Sequence, residues 1–123
     1  MSMNDKKRIL FVDDDPSVLA ALSNVLRRER HRWEMVFATG GEAALVELDK
    51  AVFDVVVSDM RMPDMSGDLL LEMVRRASPN TYRIILSGSE CGTSLPNVDE
   101  LLSKPCSART LRETLERVMA QGR

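Results

Sequence analysis

The sequence is short of the features that mark extracellular, membrane-bound or metal-stapled proteins. It has two cysteines, Cys91 and Cys106, with no CxxC or other metal-ligand spacing. With no secretory segment ahead of them, they read as free thiols in a reducing compartment. No apolar run is long enough to span a bilayer. The first, residues 9–12, is also too short for a signal-peptide core and runs straight into three acidic residues. Net charge is only −2, with a pI of about 5.4, so bulk electrostatics offers no surface to nucleic acid or membrane. The one histidine, His31, stands among arginines in a polar stretch and reads as a surface residue rather than a phosphohistidine or a ligand. Repeats and low-complexity tracts are absent. These absences leave a cytosolic protein of one domain, residues 1–123, large enough to bury a core without disulfides or metal.

What is present is an alternation. Five apolar runs, at 9–12, 35–38, 53–57, 82–86 and 101–102, are separated by stretches with helical periodicity. Runs such as Val55-Val56-Val57 and Arg83-Ile84-Ile85-Leu86 are β-rich and continuous rather than alternating, as in strands buried on both faces of a parallel sheet. Val18, Leu19, Leu22, Val25 and Leu26 make one apolar helical stripe, which Pro16 begins. Ala43, Ala44, Leu45 and Leu48 make a second after Gly40-Gly41. Leu69, Leu70, Met73 and Val74 make a third, opened by Ser66-Gly67 and closed before Pro79. Leu111, Leu115, Val118 and Met119 make the last. The predicted fold is α/β, an open doubly wound sheet of five parallel strands with right-handed crossovers. Between Ser87 and Pro105 the rhythm breaks. Gly92 and Pro96 argue against a full helix, so the fourth crossover is expected to be a loop with at most a short helical turn.

Ligands of such sheets bind beyond the carboxyl ends of the strands. Past the first strand stand Asp13, Asp14 and Asp15; past the third, Asp59; past the fourth, Ser87; past the fifth, Lys104. The crevice should therefore hold clustered carboxylates, a hydroxyl and an ammonium group. Carboxylates so close raise one another's pKa values or demand a cation. Mg²⁺, a hard ion that takes one or two carboxylates and keeps several waters, meets that demand and would neutralise an incoming phosphoryl group. Aspartate can accept phosphate covalently. Lys104 would pair with the phosphoryl oxygens and Ser87 would donate to one of them.

These stretches, ILFVDDDPSVLAAL, VVVSDMRMPDMSG, RIILSGS and LLSKP, resemble the receiver domain of the two-component response-regulator family in order and nearly in spacing, across essentially the whole chain. The resemblance implies the strand order 2-1-3-4-5 of flavodoxin-like and receiver sheets, with helices on both faces. It implies Asp59 as phospho-acceptor, Asp13 and Asp14 as the acidic pair, and Mg²⁺ or Mn²⁺ held by Asp14, Asp59 and the backbone carbonyl of Arg61. Ser87 takes the place of the switch hydroxyl, and Lys104, ahead of cis-prone Pro105, that of the family's lysine. Pro63 and Gly67 shape the loop after the phosphorylated strand. The implied donor is a phosphohistidine on a sensor histidine kinase or a histidine phosphotransfer protein. The implied recipient is an output domain or partner of unknown identity. No nucleic-acid contact is implied through this domain, nor any enzyme activity beyond its own aspartyl phosphorylation and dephosphorylation. Two departures stand out. Leu101 occupies the position, three residues before the lysine, where the family usually carries Tyr or Phe, and the Ser87-to-Lys104 stretch is short by roughly a turn and a half of helix. Both lie on the face commonly used for output, so they bear on how the signal leaves rather than on acceptance of phosphate.

Blander readings stand beside these. Asp15 is the expected cap of the helix that starts at Pro16. Ser87 alone is a turn hydroxyl and Lys104 alone a surface charge; their weight comes from strand-end geometry. Arg27, Arg28, Arg30 and Arg32 read as a solvated helix end. Met60, Met62 and Met65 read as loop or core filler, or as a soft partner surface. Other functional classes compete as well. A haloacid-dehalogenase-type phosphatase could use Asp13 and Asp15, but no acidic pair follows Lys104 and there is no room for a cap domain. A receiver-like docking scaffold would not need the full set of Asp14, Asp59, Ser87 and Lys104. Flavin binding would need a hydroxyl-rich phosphate cradle and flanking aromatics, which the loops lack.

Overall fold

In a computed structural model, residues 6–88, 95–104 and 106–121 are described. Among them the chain forms strands β1 (Lys7–Val12), β2 (Trp33–Ala38), β3 (Val55–Asp59), β4 (Tyr82–Ser87) and β5 (Glu100–Ser103). Helices α1 (Pro16–Val25), α2 (Gly41–Lys50) and α3 (Gly67–Ala77) connect the first four strands, and α4 (Ala108–Gln121) follows the fifth. All strand pairs are parallel and the sheet order is β2-β1-β3-β4-β5, as the sequence led us to expect.

The continuous apolar runs are explained by the two faces they serve. Side chains alternate across a strand. Thus Ile9, Phe11, Val55, Val57, Ile84 and Leu86 enter one core with Leu19 of α1 and Leu111, Leu115 and Val118 of α4. Leu10, Val12, Val56 and Ile85 enter the other with Ala44 of α2 and Leu70, Leu71 and Val74 of α3. Each fully buried branched or aromatic side chain contributes about 1.5–3 kcal/mol by leaving water. A polar residue in the middle of β1, β3 or β4 would therefore damage one core or the other.

The helix ends follow local chemistry. Pro16 opens α1, and Asp15 caps it by accepting from the Ser17 backbone N–H at 2.9 Å and the Ser17 hydroxyl at 2.7 Å. The basic run does not extend α1. α1 stops at Val25, and Arg27–His31 forms a separate 3₁₀ turn. Arg32 beyond it pairs with Glu29 and, on α4, with Glu116, and stacks over the Trp33 ring at 4.4 Å.

The fourth crossover contains no helix among its described residues, 88 and 95–99; residues 89–94, with Cys91, lie outside them. Residues 95–99 form a turn clamped by Arg83, a buried arginine in β4. Its guanidinium donates to the carbonyls of Asn97 at 2.8 Å and Thr81 at 3.0 Å, and its backbone N–H donates to the Asp99 carboxylate at 2.9 Å. Leu101, on β5, is exposed. Among the described residues, no helix is long and apolar enough to cross a membrane.

Candidate functional site: an acidic cluster at the carboxyl edge of the sheet

Register brings the site together. Val12 pairs with Ser58, so Asp13 and Asp59, one step further along parallel neighbours, stand side by side. On the other side Ser87 pairs with Ser103, and the next residue, Lys104, donates its backbone N–H to the Ser87 carbonyl at 2.7 Å. Asp59 and Ser87 are the last residues of their strands rather than the first residues past them. Ladder pairing, of Asp59 with Leu86 and of Ser87 with Ser103, thus fixes the backbone beneath these two side chains.

Asp13, Asp14 and Asp59 present carboxylate oxygens that all lie within 4.8 Å of one another. Asp13 and Asp59 are nearly buried while Asp14 is exposed, so the cluster opens to solvent on the Asp14 side. Lys104 Nζ donates to Asp59 Oδ1 at 2.5 Å and lies 4.0 Å from Asp13 Oδ2. Burial opposes the charge on Lys104. The hydrogen bond and charge of Asp59, helped by Asp13 and Asp14, outweigh it and raise the ammonium pKa above its ordinary value. Asp13 is also pushed upward, first by burial and then by the neighbouring charges of Asp59 and Asp14, against the Asp15 backbone N–H that its Oδ1 accepts at 2.9 Å. Three carboxylates facing one lysine leave a surplus of negative charge. An all-oxygen donor set in that condition fits a hard divalent cation such as Mg²⁺.

A stability prediction follows from Asp13. A carboxyl with a raised pKa holds its proton more tightly in the folded state, so at neutral pH its ionised form costs stability. Asp13→Asn should raise the Tm of the metal-free protein at pH 7 by a few degrees. That advantage over wild type should shrink as pH falls through the raised Asp13 value toward the ordinary carboxylate range. Mg²⁺ should raise the wild-type Tm more than the variant's. A variant less stable than wild type at pH 7 without metal would count against the charge surplus.

The remaining expected site residues are distributed around this cluster. Ser87 is buried at the end of β4, where its hydroxyl donates to the Gly88 carbonyl at 3.3 Å. Arg61 and Pro63 lie exposed in the loop between β3 and α3, and Gly67 opens α3. Gly67 donates its N–H to the Met60 carbonyl at 2.8 Å, and a Cβ at this position would collide with the Asp59 carbonyl. Pro105 lies outside the described residues. Asp15 is not in the cluster: its carboxylate is engaged with Ser17, which depresses its pKa and removes the second acid that a phosphatase reading would use. Met62 is buried, and Met60 and Met65 pack against the same core, so these methionines fill the loop from beneath. Cys106 is a free thiol whose pKa is pushed up by burial, which does not favour a reactive thiolate. A groove of about 480 Å³ beside the cluster is lined by Val18, Leu22, Leu86, Cys106, Leu111 and the Lys104 stem.

Two residues with structural weight here carry no local sequence signal. Arg83 sits in an otherwise apolar strand. Asp64 makes its contacts with a helix that starts 23 residues earlier in the chain.

Comparison with known proteins agrees with this geometry. A model of the response regulator receiver domain matches residues 9–116. The sensory transduction protein RegX3 of Mycobacterium tuberculosis is 34% identical over 119 residues, which are 93% of this chain and 51% of that protein. The chain thus spans about half the length of that curated relative. Among solved structures, the chemotaxis protein CheY4 of Vibrio cholerae superposes with a TM-score of 0.77 at 31% identity, covering 92% of this chain and 98% of that one. A response regulator receiver domain from Clostridium thermocellum gives 0.81 at 26% identity, covering 94% and 95%. Sheet order, the acidic cluster and these matches agree: the chain belongs to the receiver-domain family of two-component response regulators.

Proposed function

We propose that Asp59 accepts a phosphoryl group from a phosphohistidine on a sensor histidine kinase or histidine phosphotransfer protein, in a reaction that requires Mg²⁺ or Mn²⁺. The observation that carries this reading is the contact of Lys104 Nζ with Asp59 Oδ1 at 2.5 Å inside a three-aspartate cluster. Lys104 engages Oδ1, and among the described residues Oδ2 carries no hydrogen bond. Oδ2 attacks phosphorus. The O–P bond forms as the P–N bond to the donor imidazole breaks, and the ring, already protonated on its other nitrogen, leaves with the electron pair as neutral imidazole.

Positioning and charge neutralisation account for most of the catalysis such a transfer needs. Asp14, Asp59 and the Arg61 carbonyl would hold the cation, and Asp13 completes the acidic pair. When bound, the cation supplies neutralisation of the phosphoryl oxygens. Lys104 then transfers its hydrogen bond to a phosphoryl oxygen. Ser87 exchanges its long bond to the Gly88 carbonyl for a second phosphoryl oxygen, which draws on the start of the fourth crossover. Lys104 and Ser87 hold the product and Gly67 keeps the Asp59 backbone in place; the domain needs no activity beyond its own phosphorylation and dephosphorylation. The signal passes to an output domain or partner, and the domain works in the cytoplasm.

The test is intact-mass measurement after incubation with a small acyl-phosphate donor. One phosphoryl addition is expected with Mg²⁺ and none with EDTA. No adduct under any condition would favour a docking scaffold that works without phosphate.

A further inference from the structure

The loop between β3 and α3 is fastened to a helix on the far side of the crevice. α2 begins after Gly40, whose φ of +116° suits glycine and whose missing side chain leaves the helix without a local cap. Asp64 supplies the cap from the β3–α3 loop. Its carboxylate accepts the backbone N–H of Gly41 at 3.2 Å and that of Glu42 at 2.9 Å. The next residue, Met65, lies so close over Gly41 that a Cβ there would collide with its side chain. Two adjacent loop residues therefore clasp two adjacent residues at the start of α2.

This clasp acts on a short excursion. The chain leaves β3 at Asp59 and is pinned where Met60 donates to the Leu86 carbonyl at 3.2 Å and accepts from Gly67 at 2.8 Å. Met62 is anchored in the core. Arg61 lies between these points, two residues past Asp59 and three before Asp64. Its backbone is held on one side by the sheet and on the other by the Met62 anchor and the Asp64 clasp.

We infer that Asp64 is a positioning residue for the divalent-cation site, because its cap on α2 restrains the short loop that carries Arg61, whose carbonyl is proposed above as a ligand. The inference rests on the cation reading proposed above. It assigns Asp64 no contact with the cation or the phosphoryl group. Residues that orient metal ligands in this indirect way typically change affinity by about 10- to 100-fold when removed.

Calorimetric titration with Mg²⁺ alone, on wild type, Asp64→Ala and Asp64→Asn, decides the matter. Asp64→Ala should weaken Mg²⁺ binding by about tenfold, the low end of that range. Asp64→Asn, which lacks the charge but keeps an oxygen that can accept an amide N–H, should lose clearly less. Backbone amide exchange at Gly41 and Glu42 should speed up in the same order. Phosphorylation by a small acyl phosphate should slow at limiting Mg²⁺ and recover at saturating Mg²⁺, as expected when only metal binding is impaired.

Equal losses in the two variants would mean that Asp64 acts through its charge, and would overturn the inference. So would an Asp64→Ala variant that binds Mg²⁺ like wild type, whatever its Tm. Wild type that binds Mg²⁺ but takes no phosphoryl group would overturn the phospho-acceptor reading and leave the inference to be decided by the titration. Wild type that binds no Mg²⁺ would overturn both.

Discussion

Asp59→Asn is expected to gain no phosphoryl mass from an acyl-phosphate donor in Mg²⁺, under conditions where the wild-type chain gains one group. The substitution is nearly isosteric and its amide oxygen can still accept from Lys104, so the geometry around β3 should persist. What disappears is the anionic nucleophile. A neutral amide is a poor nucleophile toward phosphorus, and it cannot form the acyl phosphate that a carboxylate gives. The loss should therefore be complete on the time scale of wild-type labelling, not a matter of a few fold. The folded state should survive, because the substitution removes one negative charge from a cluster in which three carboxylates face one lysine. A circular-dichroism melt should give a metal-free Tm at least equal to that of wild type. If the variant melted normally and still gained one phosphoryl mass, peptide mapping would be expected to find the group on Asp13 or Asp14, and Asp59 would no longer be the acceptor.

Gly67→Ala should be among the most damaging single-methyl changes in the molecule. Alanine is the better helix former by about 1 kcal/mol, and in an exposed helix it would stabilise. Here the added Cβ would be driven into the Asp59 carbonyl and crowd Ile85 Cδ1. The Ile85 methyl can rotate away. The carbonyl cannot move so easily, because Asp59 is paired with Leu86 in the ladder and the residue before it, Ser58, is paired with both neighbouring strands. Forcing a methyl group into a packed site costs about 1–3 kcal/mol, and contact with fixed backbone puts this case at the upper end. In a domain of this size that lowers Tm by roughly 10 °C. The site should suffer as well, since relief requires moving the Asp59 backbone or the start of α3. A Gly67→Ala protein with wild-type Tm and wild-type labelling would show that α3 can shift away without cost. The close approach of α3 to β3 would then not be what holds Asp59 in place.

The sequence and the structure agree most closely where chemistry is local. The unbroken apolar runs imply strands covered on both faces, and the structure divides them residue by residue between two cores. Asp15 reads as a helix cap because Pro16 and Ser17 follow it, and it caps through Ser17. Boundaries shift by a residue or two for physical reasons. β3 begins at Val55 rather than Phe53, because Phe53 is buried without joining a ladder. Arg27–His31 leaves α1 for a 3₁₀ turn, where Glu29 accepts ion pairs from Arg32 and from Arg112 on α4, a partner more than 80 residues further along the chain.

Three kinds of feature depended on the fold. Arg83 looks out of place among Tyr82, Ile84 and Ile85 until the fourth crossover folds back and supplies carbonyls for it. Gly67 reads as a loop glycine, yet its main constraint is the strand carbonyl it packs against. Asp64 carries no local signal of its role, and only the packing of the β3–α3 loop against α2 reveals the amides it caps.

By itself, then, the sequence determined the class of fold, the strand ends on which chemistry could stand, and the residue types available there. Periodicity and capping are written in near neighbours, and the topology of a parallel sheet sends every strand's carboxyl end to one edge. Tertiary structure decided the rest: that Lys104 meets Asp59 and comes near Asp13, that the cluster opens on the Asp14 side, and that the loop past Asp59 is clasped to α2. Those facts depend on strand register and on contacts between distant segments. A register slip of one residue would turn each strand-end side chain to the opposite face, and no local pattern in the chain records which register the two packed cores select.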